Sequence, residues 1–133
     1  HDKLVIDKWF SLKSINCDPQ YALESAMDLA MNHDFNYKNP NRFRSLIGSF
    51  CAGNPAGFHV ISGKGYKFAA DWIIKQDKIN PQTAARLCAV FQSWKKYDKT
   101  RQNSIKVQLN RISETTNLSK DTKEMIDRIV IKT

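Results

Sequence analysis

The chain has 133 residues, of which 41% are hydrophobic and 26% charged, and its formal net charge is +8. This length fits a single domain with a real core, while only four prolines and five glycines exclude a linker or a disordered tract. No run of about 18 apolar residues is present, and the first residues do not resemble a signal peptide, so we expect no membrane partner. The three cysteines, Cys17, Cys51 and Cys88, are odd in number and widely spaced. This pattern favours free cysteines that pack as small hydrophobic residues in a reducing compartment, the cytoplasm, over a disulfide framework.

Apolar residues recur at helical spacing along the whole chain. In chain order the stripes are Val5, Ile6, Trp9 and Phe10; Leu23, Ala26, Met27 and Ala30; Phe43, Leu46, Ile47 and Phe50; Phe68, Ala69, Trp72 and Ile73; Ala84, Leu87, Cys88 and Phe91; Ile105, Leu109 and Ile112; and Met125, Ile126, Ile129 and Val130. No stretch of the sequence alternates like a half-buried strand. The pattern therefore predicts an all-α protein.

Every proline follows an asparagine or aspartate. The four pairs are Asp18-Pro19, Asn39-Pro40, Asn54-Pro55 and Asn80-Pro81. Proline suits the first position of a helix, and the residue before it is pushed into the conformation that an N-cap adopts. Each pair therefore predicts a helix start, and Gly53 predicts the end of the helix that begins at Pro40.

The connections between these helices are short, which favours antiparallel helical hairpins stacked on one another over residues 1–133 as one domain. The predicted caps are unevenly spaced, so a strict repeat is absent. A degenerate helical solenoid or an irregular bundle fits the pattern.

The sequence offers no catalytic centre. Its three histidines, His1, His33 and His59, do not share a helix face with an acid as in HExxH, and no cysteine pair has the C-x-x-C spacing, so we expect no metal site. The segment GFHVISGKG at 57–65 has five residues between its first two glycines where a phosphate-binding loop needs four, and glycine stands where that loop needs Ser or Thr. A glycine-permitted turn explains it better.

The positive charge is concentrated in the last third, where residues 95–133 hold 10 Lys and Arg against 5 Asp and Glu. The densest stretch contains Lys95, Lys96, Lys99, Arg101, Lys106 and Arg111, with Asp98 as its only acid. A basic surface attracts phosphate groups, but this pattern is also typical of a charged, solvated helix face. Trp9, Trp72 and Trp94 lie on or beside apolar stripes, which predicts core positions rather than base-stacking ones.

One polar pair stands out on the helix that starts at Pro81. The stripe from Ala84 to Phe91 faces the core, while Gln82, Arg86 and Ser93 fall on the opposite side. Gln82 and Arg86 are four residues apart, so their side chains project together. From spacing alone, a plain solvated face and a binding pair are both open.

Six blocks of the sequence form an ordered pattern: NPNRFRSLIGSF at 39–50, GNPAGFH at 53–59, GYKFAAD at 65–71, NPQTAARL at 80–87, KYDKTRQ at 96–102 and LSKD at 118–121. Together with DKWF at 7–10, they resemble, in order and spacing, the C-terminal end of the bacterial aminopeptidase N (alanyl aminopeptidase) family. The resemblance covers essentially the whole chain. The sequence departs from the family chiefly at Lys78, at Lys95-Lys96 and in the stretch HDFNYKNPN, and these departures leave the matches at Gln82, Arg86 and Arg44 unaffected.

The resemblance implies a HEAT-like or ARM-like helical superhelix that caps the active site of a zinc metallopeptidase and encloses a cavity for peptides. The zinc and its HExxH motif would then belong to a catalytic domain of the same polypeptide, outside this sequence. This sequence would itself hold no cofactor. It also implies that Gln82 and Arg86 face the substrate region and that Arg44 lines the cavity. A guanidinium and an amide suit the carbonyls and terminal carboxylate of a peptide.

Two hypotheses follow. In the first, the chain is the non-catalytic C-terminal part of a zinc-dependent aminopeptidase, with a peptide as substrate and no nucleic-acid partner. In the second, it is a free-standing basic helical module that binds nucleic acid or a protein through its last third. On the first hypothesis we also expect the isolated chain to self-associate, because the end of a superhelix exposes a face that neighbouring helices would cover.

Overall fold

The computed structural model describes residues 3–16, 18 and 21–131, and within these ranges it contains helices and no strand. The all-α prediction is confirmed. The chain divides into two compact units, residues 1–60 and residues 61–133. The prediction of one domain over residues 1–133 stays a prediction.

The described residues of the first unit form five α-helices and one π-helical turn. They are α1 (Lys3–Ile15), α2 (Ala22–Ala30), α3 (Pro40–Phe43), the π turn (Arg44–Gly48), α4 (Ser49–Gly53) and α5 (Pro55–Phe58). α1 packs on the π turn and α4, and α2 packs on α1, α5 and the π turn. The core is built from side chains with at most 1% exposure: Phe10, Phe43, Leu46, Ile47, Phe50 and Phe58.

In the second unit, residues 61–131 are described, and they form four α-helices and two short 3-10 turns. They are α6 (Lys64–Asp77), α7 (Pro81–Leu87), the turns Cys88–Phe91 and Trp94–Lys96, α8 (Lys99–Ser113) and α9 (Lys120–Ile131). α6 packs on α7 and α8, and α9 packs on the same two helices. The side chains with at most 1% exposure include Tyr66, Ile73, Ala84, Cys88, Phe91, Ile105, Leu109, Ile112 and Ile126.

Three of the four predicted helix starts are confirmed by their cap hydrogen bonds. The side chain of Asn39 accepts from the amides of the next turn, Asn54 accepts from Gly57 N, and Asn80 accepts from Thr83 N. Pro19 lies outside the described residues, and α2 begins only at Ala22. The prediction for the Asp18-Pro19 pair therefore stays a prediction.

The helix predicted after Pro40 is interrupted by the π turn. The sequence predicts one regular helix as far as Gly53, whereas the backbone changes from α to π at Arg44 and returns to α at Ser49. The predicted stripe is nevertheless buried throughout. The spacing therefore identified the buried face correctly and could not show the locally wider turn.

The apolar stripe predicted for α1 is only partly buried. Phe10 is buried, but Val5 is 63% exposed and Trp9 is 41% exposed, so the prediction of core positions for these two is wrong. The large exposed hydrophobic side chains of this helix are Leu4, Val5, Trp9, Leu12 and Ile15, and they form what we call the open face of α1.

Among the described residues, no helix is both long and apolar enough to cross a bilayer.

Candidate functional site

α7 is a short helix with very little exposed surface. Thr83, Ala84, Ala85 and Leu87 are all buried, because α6 and α9 pack on the helix. Gln82 and Arg86 are exposed. The structure therefore brings these two predicted residues together on one strip of α7, opposite its packed surface.

The start of α7 is fixed by its cap. Asn80 Oδ1 accepts a hydrogen bond from Thr83 N at 3.3 Å, and Asn80 N donates to Gln76 O, at the end of α6, at 2.7 Å. These bonds anchor the first turn of α7 to the helix before it. Gln82 and Arg86 consequently project from a helix whose position is set by its neighbours, as a preorganised site requires.

The side chains of Gln82 and Arg86 make no hydrogen bond or ion pair with any other side chain in the described part of the chain. A guanidinium offers five N–H donors in a planar fork, and an amide offers both a donor and an acceptor. Together they can bind a carboxylate and a neighbouring peptide carbonyl. The pair is thus available to a ligand that carries such groups.

Arg44, the third predicted residue, belongs to the first unit and lies at the first position of the π turn. It is exposed, and its guanidinium donates a hydrogen bond to the Asn41 side-chain oxygen. π turns occur often at functional sites, because the extra residue redirects the side chains around it. The asparagine contact leaves most of the guanidinium donors of Arg44 without a protein acceptor.

The neighbouring Arg42 has a structural role. It is 7% exposed, its Nε lies 2.5 Å from Asp7 Oδ1, and its guanidinium also donates to the Asp34 carbonyl. The contact with Asp7 joins α3 to α1, and the contact with Asp34 joins α3 to the segment that precedes it. The two arginines of the segment NPNRFR therefore differ in their surroundings: Arg42 is buried and holds the fold together, whereas Arg44 is exposed.

The thiols of Cys51 and Cys88 are free and buried. Burial raises the pKa of the Cys51 thiol far above its usual range, and burial together with nearby Asp77 raises the pKa of Cys88 to about 12. Both thiols are therefore protonated near neutral pH and suit core packing rather than nucleophilic chemistry. Cys17 lies outside the described residues.

No group of three or more His, Cys, Asp or Glu side chains that could hold a metal ion is present within residues 3–16, 18 and 21–131. His33 is exposed and lies beside Asp34, while the ring of His59 packs against Phe58 with the centroids 4.7 Å apart. His1 is outside the described residues. Neither of the described histidines therefore belongs to such a group.

Stacked helical hairpins of this kind define the class of ARM-repeat domains. Residues 1–131 match the family described as a domain of unknown function, DUF3458_C, with ARM repeats. The chain therefore belongs to this family, which confirms the predicted ARM-like fold class.

Known aminopeptidases are similar to the chain over almost its entire length. Aminopeptidase N of Haemophilus influenzae is 45% identical over 129 residues, and aminopeptidase N of Caulobacter vibrioides is 42% identical over 127 residues. Each alignment covers 96% of this chain but 15% of the relative. The crystal structure of Legionella pneumophila aminopeptidase A in complex with aspartic acid matches with a TM-score of 0.86 and 37% identity, over 96% of this chain and 15% of that one.

These matches confirm the resemblance to aminopeptidase N. The chain spans about 15% of the length of these relatives and corresponds to their C-terminal part.

Proposed function

We propose that this chain is the non-catalytic C-terminal helical domain of a zinc-dependent aminopeptidase, and that it caps the active site and lines the channel through which peptides pass. The similarity to aminopeptidases N and A favours this function over a free-standing module that binds nucleic acid. The peptide-cleaving chemistry and the zinc ion belong, in this proposal, to a catalytic domain of the same polypeptide. We also propose a cytoplasmic location, in keeping with the two buried free thiols.

The observation that carries the channel role is the polar strip of α7. Gln82 and Arg86 are exposed on a helix whose other side chains, from Thr83 to Leu87, are buried. An exposed arginine on a firmly packed helix can bind a peptide carboxylate at little entropic cost from the neighbouring side chains, because these are already packed. For Arg44, in the first unit, the proposal that it lines the cavity follows from the resemblance alone.

The test is an Arg86→Ala substitution in the full-length enzyme, with kcat/KM measured on peptides of several lengths. We expect kcat/KM to fall about tenfold or more, because a hydrogen bond to a charged group contributes about 1.5–3 kcal/mol. The midpoint of thermal unfolding should stay unchanged, since Arg86 is exposed and makes no contact that holds the fold. Gln82→Ala should have a smaller effect in the same direction, because it removes no charge.

Arg128→Ala is the matched control. Arg128 is an exposed arginine in the same unit, on α9, so its loss changes the net charge equally. Unchanged kinetics of Arg86→Ala at every peptide length, or an equal loss in the control, would refute the channel role.

A further inference from the structure

The basic third of the sequence forms a cavity. Lys95, Lys99 and Lys106 line a cavity of about 640 Å³ together with Trp94, and we call this feature the basic cavity. Its volume lies within the range of about 300–1,000 Å³ that is usual for small-molecule sites. The lysines that the sequence suggested as a solvated helix face thus surround a common concave space.

Trp94 forms a rigid base for this cavity. It is 5% exposed, and its indole N–H donates a hydrogen bond to Ile129 O at 3.1 Å. The ammonium groups of Lys95 and Lys106 lie 5.3 Å and 5.9 Å from the centroid of its ring. Cation–π attraction therefore holds two of the three cations beside the buried indole.

The third cation is placed by α8. Lys99, Gln102 and Lys106 are spaced three and four residues apart, so they lie on one face of that helix. Gln102 Nε2 donates to Lys95 O at 3.0 Å and to Tyr97 O at 2.7 Å. These two bonds fasten the 3-10 turn that carries Lys95 to the face of α8 that carries the other lysines.

No acid neutralises these lysines in the described part of the chain. Asp98, the nearest acid in sequence, pairs instead with Arg101, at 2.8 Å between Oδ1 and Nη1. The ion pairs of the second unit involve other lysines and arginines. Three like charges around one concavity repel one another and create a positive potential that a bound anion would relieve.

The remaining wall of the cavity is mixed in polarity. Leu109 and Val130 contribute apolar surface, and the Asn110 amide contributes a polar group. Such a wall can contact the carbon skeleton of a ligand while the ammonium groups bind its charges. Lysine binds phosphate and carboxylate as a compact point charge without demanding a planar geometry.

We propose that the basic cavity binds a compact multivalent anion, an organic phosphate or a polycarboxylate, with its charged groups on Lys95, Lys99 and Lys106. The carbon skeleton of this ligand packs on Leu109 and Val130. The binding is independent of the peptide contacts on α7.

Isothermal titration calorimetry of the chain with pyrophosphate and, separately, with citrate tests this proposal. At low ionic strength we expect saturable binding of at least one of the two anions. The anion with the higher affinity shows whether the cavity prefers phosphate or carboxylate groups. In an NMR spectrum of the labelled protein, the indole N–H resonance of Trp94 should shift on binding. Raising the salt from about 50 mM to about 200 mM should weaken the affinity, because the contacts are electrostatic.

The variant Lys95→Gln, Lys99→Gln, Lys106→Gln should bind about tenfold more weakly or worse, on the usual contribution of three partly exposed ion pairs. The matched control is Lys8→Gln, Lys38→Gln, Lys64→Gln, which removes three exposed lysines elsewhere and should bind as the unsubstituted chain does. Absence of binding by both anions at low salt, or an equal loss in the control variant, overturns the proposal. Binding of a single-stranded oligonucleotide when neither small anion binds also overturns it.

Discussion

Asp77 provides a sharp test of how the second unit is held together. It is the last residue of α6 and is 5% exposed. Its carboxylate accepts hydrogen bonds from Ser119 N at 2.8 Å, Ser119 Oγ at 2.5 Å and Thr122 Oγ1 at 2.6 Å. These donors flank the first turn of α9, where a negative charge also interacts favourably with the helix dipole. One side chain therefore fastens the start of α9 to the end of α6.

Replacing Asp77 with alanine removes both acceptor oxygens and with them all three hydrogen bonds. The Thr122 hydroxyl is fully buried and loses its acceptor, and an orphaned buried donor costs about 1–3 kcal/mol. Hydrogen bonds to a charged group contribute about 1.5–3 kcal/mol each, but three that share one carboxylate are coupled and not additive. We therefore expect Asp77→Ala to lower the free energy of unfolding by about 3 kcal/mol. Asp77→Asn, which keeps one acceptor oxygen, should lose less.

Urea unfolding followed by far-UV circular dichroism measures this change. The control is Asp71→Ala, on the same helix: Asp71 is 45% exposed and pairs with Lys67 and Arg111 at 3.1 Å and 2.7 Å. Exposed ion pairs contribute little, so the control should lose about 1 kcal/mol or less. Equal losses in Asp77→Ala and Asp71→Ala would refute the claim that buried hydrogen bonding, rather than surface charge, fixes α9.

Two further predictions concern the start of α8 and the open face of α1. Asp98 is the N-cap of α8, and its hydrogen bonds with the side chain and the backbone N–H of Arg101 lower its pKa. The cap therefore stabilises the helix above a pH of about 4, and this stabilisation is lost as the pH falls through the depressed pKa of Asp98. The protection of the Arg101 amide against hydrogen exchange, corrected for the intrinsic exchange rate at each pH, should decrease in acid. An equal decrease in Asp98→Asn, which keeps a cap that does not titrate, would contradict this. The open face of α1 should cause the chain to self-associate, and Leu12→Lys should reduce the sedimentation-average mass; a monomer at every concentration of the unsubstituted chain would show this prediction to be wrong.

Part of the candidate site was predictable from spacing alone. The period of 3.6 residues separates the buried stripe of α7 from Gln82 and Arg86, and the structure leaves both exposed. Burial of Thr83 and Ala85 was not predictable, because it depends on α6 and α9 both packing on α7. The roles of Gln82, Arg86 and Arg44 in a channel stay predictions.

The sequence by itself determined the helical class and the three helix starts at Pro40, Pro55 and Pro81. These are local properties: an asparagine before a proline supplies a cap within the next turn, and apolar spacing marks the face to be buried. Likewise, the contrast between the buried Leu87 and the exposed Arg86 follows from their places on one helix.

Only the tertiary structure decided which contacts form between distant segments. Asp77 bonds to residues 42 and 45 positions away, and the basic cavity needs Trp94 and Val130 beside one face of α8. The open face of α1 has the same apolar spacing as buried helices, yet Val5 stays exposed. The physical reason is that a periodic pattern fixes which side of a helix is apolar, whereas burial and charge pairing depend on the elements that pack against it.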